Sequence, residues 1–193
     1  PPMRPWFATM ALLFASLPAM VGAEQQVAIA AIRKLGGNAL WTKAGWEVEL
    51  HLVGAKVRDR DLVQLARLKN LVSLNLKGTR VTSAGLVHLK DIISLQLLHL
   101  ERTAIDDAGI RHLAGLTQLK YLNLYGTKVT DKSLVHLYRL KKLRRLYVWR
   151  TAVTERGAAA VASAVPGLKV VRGVDLAKLA ALFPEPEPER EPT

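Results

Sequence analysis

The chain of 193 residues contains no cysteine. No disulfide can brace it, so its stability must rest on packing alone. Acidic side chains are scarce: 16 Asp and Glu stand against 28 Lys and Arg, for a formal charge of +12. That balance suits polyanions such as acidic glycans, anionic lipid surfaces or nucleic acid as partners, and equally a plain role in solubility. Aromatic residues make up only 6 %, so where they fall carries information. The apolar run from Trp6 to Leu17 falls short of the roughly 20 residues that span a bilayer as a helix. A search for paired carboxylates in context, a Ser or Cys beside His, or a glycine loop able to cradle phosphate finds nothing.

What is present is a repeat. The stretch Leu68 to Leu89, LKNLVSLNLKGTRVTSAGLVHL, returns in register, and Thr79, Thr103, Thr127 and Thr151 stand 24 residues apart. Around each threonine the pattern reads L-x-x-L-x-L-x-x-T-x-[VI], with central pairs Leu74/Leu76, Leu98/Leu100, Leu122/Leu124 and Leu146/Val148. The central pairs alternate as in a strand, whereas Leu86 and Leu89, Ile110 and Leu113, and Leu134 and Leu137 keep helical spacing. Each unit is therefore a short strand, a turn and a short helix. One unit cannot bury its apolar face, so neighbours must stack into a solenoid with a continuous leucine interior.

These residues resemble the leucine-rich repeat over roughly 47–172. Asp106-Asp107-Ala108-Gly109-Ile110 and Thr130-Asp131-Lys132-Ser133-Leu134 are similar to the T-D-x-G-L variant of bacterial secreted and envelope proteins. The resemblance implies an α/β fold with a curved parallel sheet on the concave side and short helices on the convex side. Many such repeats carry Asn, and those of eukaryotic ubiquitin-ligase adaptors carry Cys, where this chain has Thr. The threonine hydroxyls are expected to turn inward and bond backbone groups of the turn.

Residues 1–23 read as a signal peptide: one Arg, an apolar run, a proline and a V-x-A ending at Ala23. Residues 24–46 form an N-terminal cap, with an amphipathic helix from Glu24 to Leu35 stopped by Gly36-Gly37 and followed by Leu40-Trp41. The solenoid occupies 47–173 and opens with a degenerate unit in which Leu50, Leu52 and Val57 take the strand and turn columns and Ala55 replaces Thr. A C-terminal cap helix is expected over 174–183, N-capped by Asp175. The alternating Glu and Pro of 184–193 should be a solvated tail.

His88, His112 and His136 also recur every 24 residues. Successive convex helices about 8–10 Å apart hold such side chains too far from one another for shared tetrahedral ligation. They are a repeat position, and no metal or cofactor is expected. The positions between the strand leucines turn onto the concave face. There Tyr, Trp and Arg, the residue types that dominate binding hot spots, gather in the third and fourth full repeats. The candidate binding residues are His99, Tyr121, Asn123, Tyr125, Arg145, Tyr147 and Trp149. A densely basic run, Arg139, Lys141, Lys142, Arg144, Arg145 and Arg150, offers a polyanion site as the alternative.

The expected function is non-enzymatic recognition of a protein or acidic glycan by the concave face, outside the cytoplasm in the periplasm, the envelope or the medium. No nucleic-acid partner is expected, and no stable membrane span in the mature chain. Two rivals remain. A regulatory or substrate-binding subunit of a cell-envelope hydrolase would need a convergent acid pair, and Glu49 with Glu101, roughly 10 Å apart by strand spacing, is the only concave candidate. A ubiquitin-ligase-type adaptor is disfavoured by the signal peptide and by the lack of a preceding F-box-like segment.

Overall fold

The structure, a computed structural model, describes residues 22–173. The expected cap helix at 174–183, the tail at 184–193 and all but the last two residues of the expected signal peptide lie outside the described residues. Seven strands form one sheet in chain order: β1 Asn38–Thr42, β2 Gly45–Glu49, β3 Leu71–Asn75, β4 Leu97–His99, β5 Tyr121–Asn123, β6 Arg145–Tyr147 and β7 Lys169–Val171. β1 and β2 are an antiparallel hairpin, and every later neighbour is parallel. Leu74, Leu98, Leu122, Leu146 and Val170 lie opposite one another across the sheet, so the 24-residue period of the sequence is the strand register itself.

The leucine interior is continuous. Leu74, Leu76, Leu98, Leu100, Leu122, Leu124 and Leu146 have no exposed surface, and the helical rows Leu86/Leu89, Ile110/Leu113 and Leu134/Leu137 close over them from the other side. Each such side chain contributes about 1.5–3 kcal/mol by leaving water. The convex segments are tight. Gly85–Leu89 is a 3₁₀ helix, while α2 (Asp107–Ile110) and α3 (Asp131–Leu134) are single α turns that continue as 3₁₀ through Leu113 and Leu137. A 3₁₀ segment rises farther per residue than an α helix, which lets a short unit span its strand. The alanine-rich fourth unit instead makes α4, Glu155–Ala164.

The threonine column does what its placement implies. Thr79, Thr103, Thr127 and Thr151 donate their hydroxyls to the carbonyls of Leu76, Leu100, Leu124 and Val148 at 2.7, 2.6, 2.7 and 2.6 Å.

A second polar ladder runs along the helix starts. Asp59 accepts the N–H and hydroxyl of Thr82 (2.7 and 2.6 Å), Asp107 those of Thr130 (2.8 and 2.7 Å), and Asp131 those of Thr154 (2.8 and 2.6 Å). At the remaining rung the chemistry is reversed: Ser83 donates to Asp106 at 2.6 Å and accepts its N–H at 2.9 Å. This ladder explains why a small residue, Gly85, Gly109, Ser133 or Gly157, recurs every 24 residues. A Cβ on Gly85 or Gly157 would collide with the carboxylate of Asp59 or Asp131, and one on Gly109 would stand 2.8 Å from Ser83 Oγ. Ser133 fills the same column only by turning its hydroxyl onto Thr130 O at 3.1 Å.

The N-terminal cap differs in detail from the sequence reading. α1 (Ala23–Lys34) buries Ala28, Ile29 and Ile32, and Gln25 Oε1 accepts from the buried Trp46 indole at 3.1 Å. The strand of the degenerate unit, however, lies two residues earlier than that reading, while Val57 takes the turn column as expected and is wholly buried. Val48 pairs with Leu74, and Trp46, Val48 and Leu50 are the buried strand positions, whereas Leu52 is 82 % exposed. Ala55, in the turn Gly54–Lys56, is exposed and does not replace the buried threonines. The cause is the hairpin, which starts the strand at Gly45 and so moves the first row of outward residues to Glu47, Glu49 and His51 in place of Glu49, His51 and Val53.

Candidate functional site on the concave face

Three columns of side chains cross the exposed face of the sheet. The first is Ser73, Leu97, Tyr121, Arg145 and Lys169, and the second is Asn75, His99, Asn123, Tyr147 and Val171. The third, just beyond the strands, is Lys77, Glu101, Tyr125, Trp149 and Gly173 in the 24-residue register. Aromatic rings join the first two columns, and a separate pair stands in the third. His99 lies 4.7 Å from Tyr121, Tyr121 lies 5.3 Å from Tyr147, and Tyr125 meets Trp149 edge-on at 5.5 Å. Such contacts hold the rings in one arrangement and spare a ligand part of the cost of ordering them.

Beneath the rings sits a polar network centred on Glu101, which is only 7 % exposed. Its Oε1 accepts from Asn123 Nδ2 at 2.7 Å and lies 2.9 Å from His99 Nδ1. Asn123 also donates to the Tyr121 hydroxyl at 3.1 Å and accepts the Tyr125 N–H at 3.0 Å. Burial pushes the Tyr121 phenol up, against that hydrogen bond from Asn123. Glu101 Oε2 is buried and has no hydrogen-bond partner among the described residues.

At the far rim two arginines flank Tyr125. Arg150 Nη1 donates to the Tyr125 hydroxyl at 3.2 Å, and the Arg102 guanidinium lies 5.5 Å from the Tyr125 ring centre. Hydrogen bonding from Arg150, then from Arg102, holds this phenol below its usual range. Both arginines occupy left-handed backbone, φ 54° and 55°, at positions where the neighbouring units place Gly78 (φ 69°) and Gly126 (φ 67°). A non-glycine residue there costs about 1–3 kcal/mol. The fold tolerates that cost twice, at two positions that meet one tyrosine.

A cleft of about 480 Å³ opens among Lys77, Glu101, Arg102, Asn123, Tyr125, Tyr147, Trp149, Val171 and Gly173. The Trp149 indole lies over Gly173, where a Cβ would come within 3.2 Å of the ring. Trp149 itself remains 46 % exposed.

Of the residues singled out by sequence, Asn123, Tyr125, Tyr147 and Trp149 line this cleft, and His99 and Tyr121 support it from the adjoining columns. Arg145 stands exposed in the first column and does not line the cleft. Lys77 and Arg102 were not singled out, Glu101 was named only as half of an acid pair, and Arg150 only as part of the basic run. The signal for the arginines was available: 78 and 126 are glycine, and 102 and 150 break that alternation.

Glu49 and Glu101 do not converge as an acid pair. Each carboxylate is engaged by a histidine two residues away, Glu49 with His51 at 2.7 Å and Glu101 with His99 at 2.9 Å. The basic run is largely committed elsewhere: Lys141 donates to Ala164 O at 2.8 Å, Lys142 to Gln118 Oε1 at 2.6 Å, and Arg144 to Lys141 O at 2.9 Å. His88, His112 and His136 lie half-buried along the convex row. No helix among the described residues is long and apolar enough to cross a membrane.

The fold is that of a leucine-rich-repeat solenoid, an α/β stack with one parallel strand per 24-residue unit. No protein-family model matches the chain, and no curated protein does. Among solved structures it is similar to an internalin (InlF) from Listeria monocytogenes, with 20 % identity over 60 % of this chain and 32 % of that one, at a TM-score of 0.49. It is similar to a TDR receptor with 20 % identity, covering 56 % of this chain and 19 % of that one, at 0.46. For the leucine-rich-repeat ectodomain of the receptor kinase SOBIR1 from Arabidopsis thaliana the identity is 13 %, with 78 % and 92 % covered, at 0.47. The chain thus spans about a third of the internalin and about a fifth of the TDR receptor. At that level of likeness the assignment of the fold stands on the chain's own strand register.

Proposed function

We propose that this chain is a non-enzymatic recognition module that binds a protein or glycan ligand through its concave face outside the cytoplasm. The observation that carries the reading is two groups of touching rings, Tyr121 with Tyr147 and Tyr125 with Trp149, on a sheet face that the solenoid leaves uncovered. Aromatic side chains so placed give large contact area at low ordering cost, and they are the residue types that anchor binding sites. The extracellular part of the proposal rests on the signal-peptide pattern ending at Ala23.

Retention of an envelope ligand by the immobilised full chain, compared with a Tyr147→Ala/Trp149→Ala double variant of equal thermal stability, tests the site. The variant is expected to release what the wild type holds, and equal retention by both would remove the concave face from consideration. N-terminal sequencing of the exported protein tests the location, with Glu24 as the expected first residue.

A further inference from the structure

The cleft beside Trp149 makes three separate demands on a ligand. Glu101 lines the cleft, and its buried Oε2 has no hydrogen-bond partner among the described residues, so the carboxylate keeps an acceptor site for a donor. Lys77 and Arg102 line the same cleft, and Arg150 reaches its Tyr125 hydroxyl, so cations outnumber the single carboxylate and call for an anion. Those same cations would repel a positively charged donor, which leaves a neutral one, a hydroxyl or an amide N–H, as the partner for Glu101. The rings of Tyr147 and Trp149, finally, present an apolar wall to a flat C–H face.

A uronic-acid ring meets all three demands within one unit: a carboxylate, hydroxyls on adjacent carbons, and an apolar ring face. An Asp or Glu side chain of a peptide supplies the carboxylate alone. The cleft volume of about 480 Å³ lies inside the roughly 300–1,000 Å³ range of small-ligand sites.

We infer that this cleft binds an acidic saccharide, with a uronate carboxylate held by Arg102 and Arg150 beside Tyr125, the sugar ring against Trp149 and Tyr147, and a hydroxyl donating to Glu101. The inference rests on the concave-face reading above and narrows it to one ligand chemistry. It also accounts for the strained backbone at both arginines, because only a side chain at those two positions can bracket Tyr125 from either side.

The test is calorimetric titration of the full chain with hexasaccharides of glucuronate, galacturonate and mannuronate, their carboxyl-reduced counterparts, and a hexaglutamate peptide. At least one uronate is expected to bind, and its carboxyl-reduced form to lose about tenfold or more in affinity. Arg102→Gly and Arg150→Gly should each weaken it about fivefold or more, whereas Arg144→Gln should change it less than about twofold. Glycine already stands at the matching positions 78 and 126, so these variants keep the fold and a loss of binding is a loss of contact.

The inference is overturned if no uronate titrates at millimolar concentration, or if both glycine variants bind as the wild type does. Preference for hexaglutamate over every uronate would assign the cleft to an acidic peptide, removing the saccharide while leaving concave-face recognition intact. That broader reading fails on a different result, retention of an envelope ligand by the Tyr147→Ala/Trp149→Ala variant.

Discussion

Asp107 accepts both the N–H (2.8 Å) and the hydroxyl (2.7 Å) of Thr130, one repeat farther along the solenoid. Burial works to raise this carboxyl's pKa, but the two bonds from Thr130 and the nearby Lys132 outweigh it and hold it below the ordinary 3.8. A carboxylate with a depressed folded pKa stabilises fully above its unfolded value, and that stabilisation disappears as pH falls through the folded one. Asp107→Asn, which cannot accept both bonds, should therefore cost about 1 kcal/mol at neutral pH. In denaturant unfolding repeated down to about pH 3 the gap to wild type should narrow. A gap that widened on acidification would contradict the role given to Asp107.

At the glycine near the start of α4 two effects oppose each other. By helix propensity alone Gly157→Ala should stabilise by roughly 1 kcal/mol. In the fold, a Cβ there meets the Asp131 carboxylate that binds Thr154, so the substitution should instead destabilise by about 1–3 kcal/mol through lost ladder bonds. The sign of the change in denaturant midpoint decides between the two.

Stacking fixes where the stability lies. Leu122 is wholly buried in the middle of the stack, and Lys128 is exposed on the turn of the same unit. Leu122→Ala should cost about 2–5 kcal/mol as a cavity, and Lys128→Ala should fall within about 0.5 kcal/mol of wild type. Comparable losses in a urea series would mean that the strand register is misplaced.

Most of the fold was legible because the solenoid repeats its physics. One strand register, Leu74 to Val170, returns the same alternation in each unit, so four noisy copies reinforce one pattern. The first unit was misread for the converse reason. It has no threonine and no second copy to correct it, and the hairpin of β1 with β2 moves its strand two residues upstream, leaving Leu52 outside. At the candidate site the aromatic residues were legible by alternation, but Arg102 was not, and Arg150 stood out only as part of the basic run. They lie just past the strands in left-handed backbone, a position that alternation does not address and that only the glycines at 78 and 126 betray.

That left-handed pair carries a prediction of its own. Replacing Arg102 or Arg150 by glycine relieves a backbone that Gly78 and Gly126 adopt freely, a gain of about 1 kcal/mol offset in part by glycine's greater freedom in the unfolded chain. Each variant should thus unfold at the same or a higher denaturant concentration than wild type. A loss of 2 kcal/mol or more would show that the arginines serve folding, as rivets of Tyr125, and the reason for tolerating the strain would have to be sought in stability.

The two basic sets of the chain can be told apart by salt. Lys141, Lys142 and Arg144 bond to carbonyls and to Gln118 along the connection into β6, away from the cleft, whereas Trp149 forms its exposed wall. If recognition is centred on the aromatic face, Trp149→Ala should cost about 2 kcal/mol or more of binding energy, and a Lys141→Gln/Lys142→Gln/Arg144→Gln triple variant should cost little. Affinity should then decline only modestly between about 0.05 and 0.5 M salt, since two or three charged contacts at a partly enclosed site release few counterions and are weakly screened. A polyanion gripped by the whole basic run would behave oppositely, with a steep salt dependence that the triple variant flattens. Titration of both variants at low and high salt separates these outcomes. Loss of affinity in the triple variant with Trp149→Ala unaffected would move the binding surface off the concave face and onto the connection before β6.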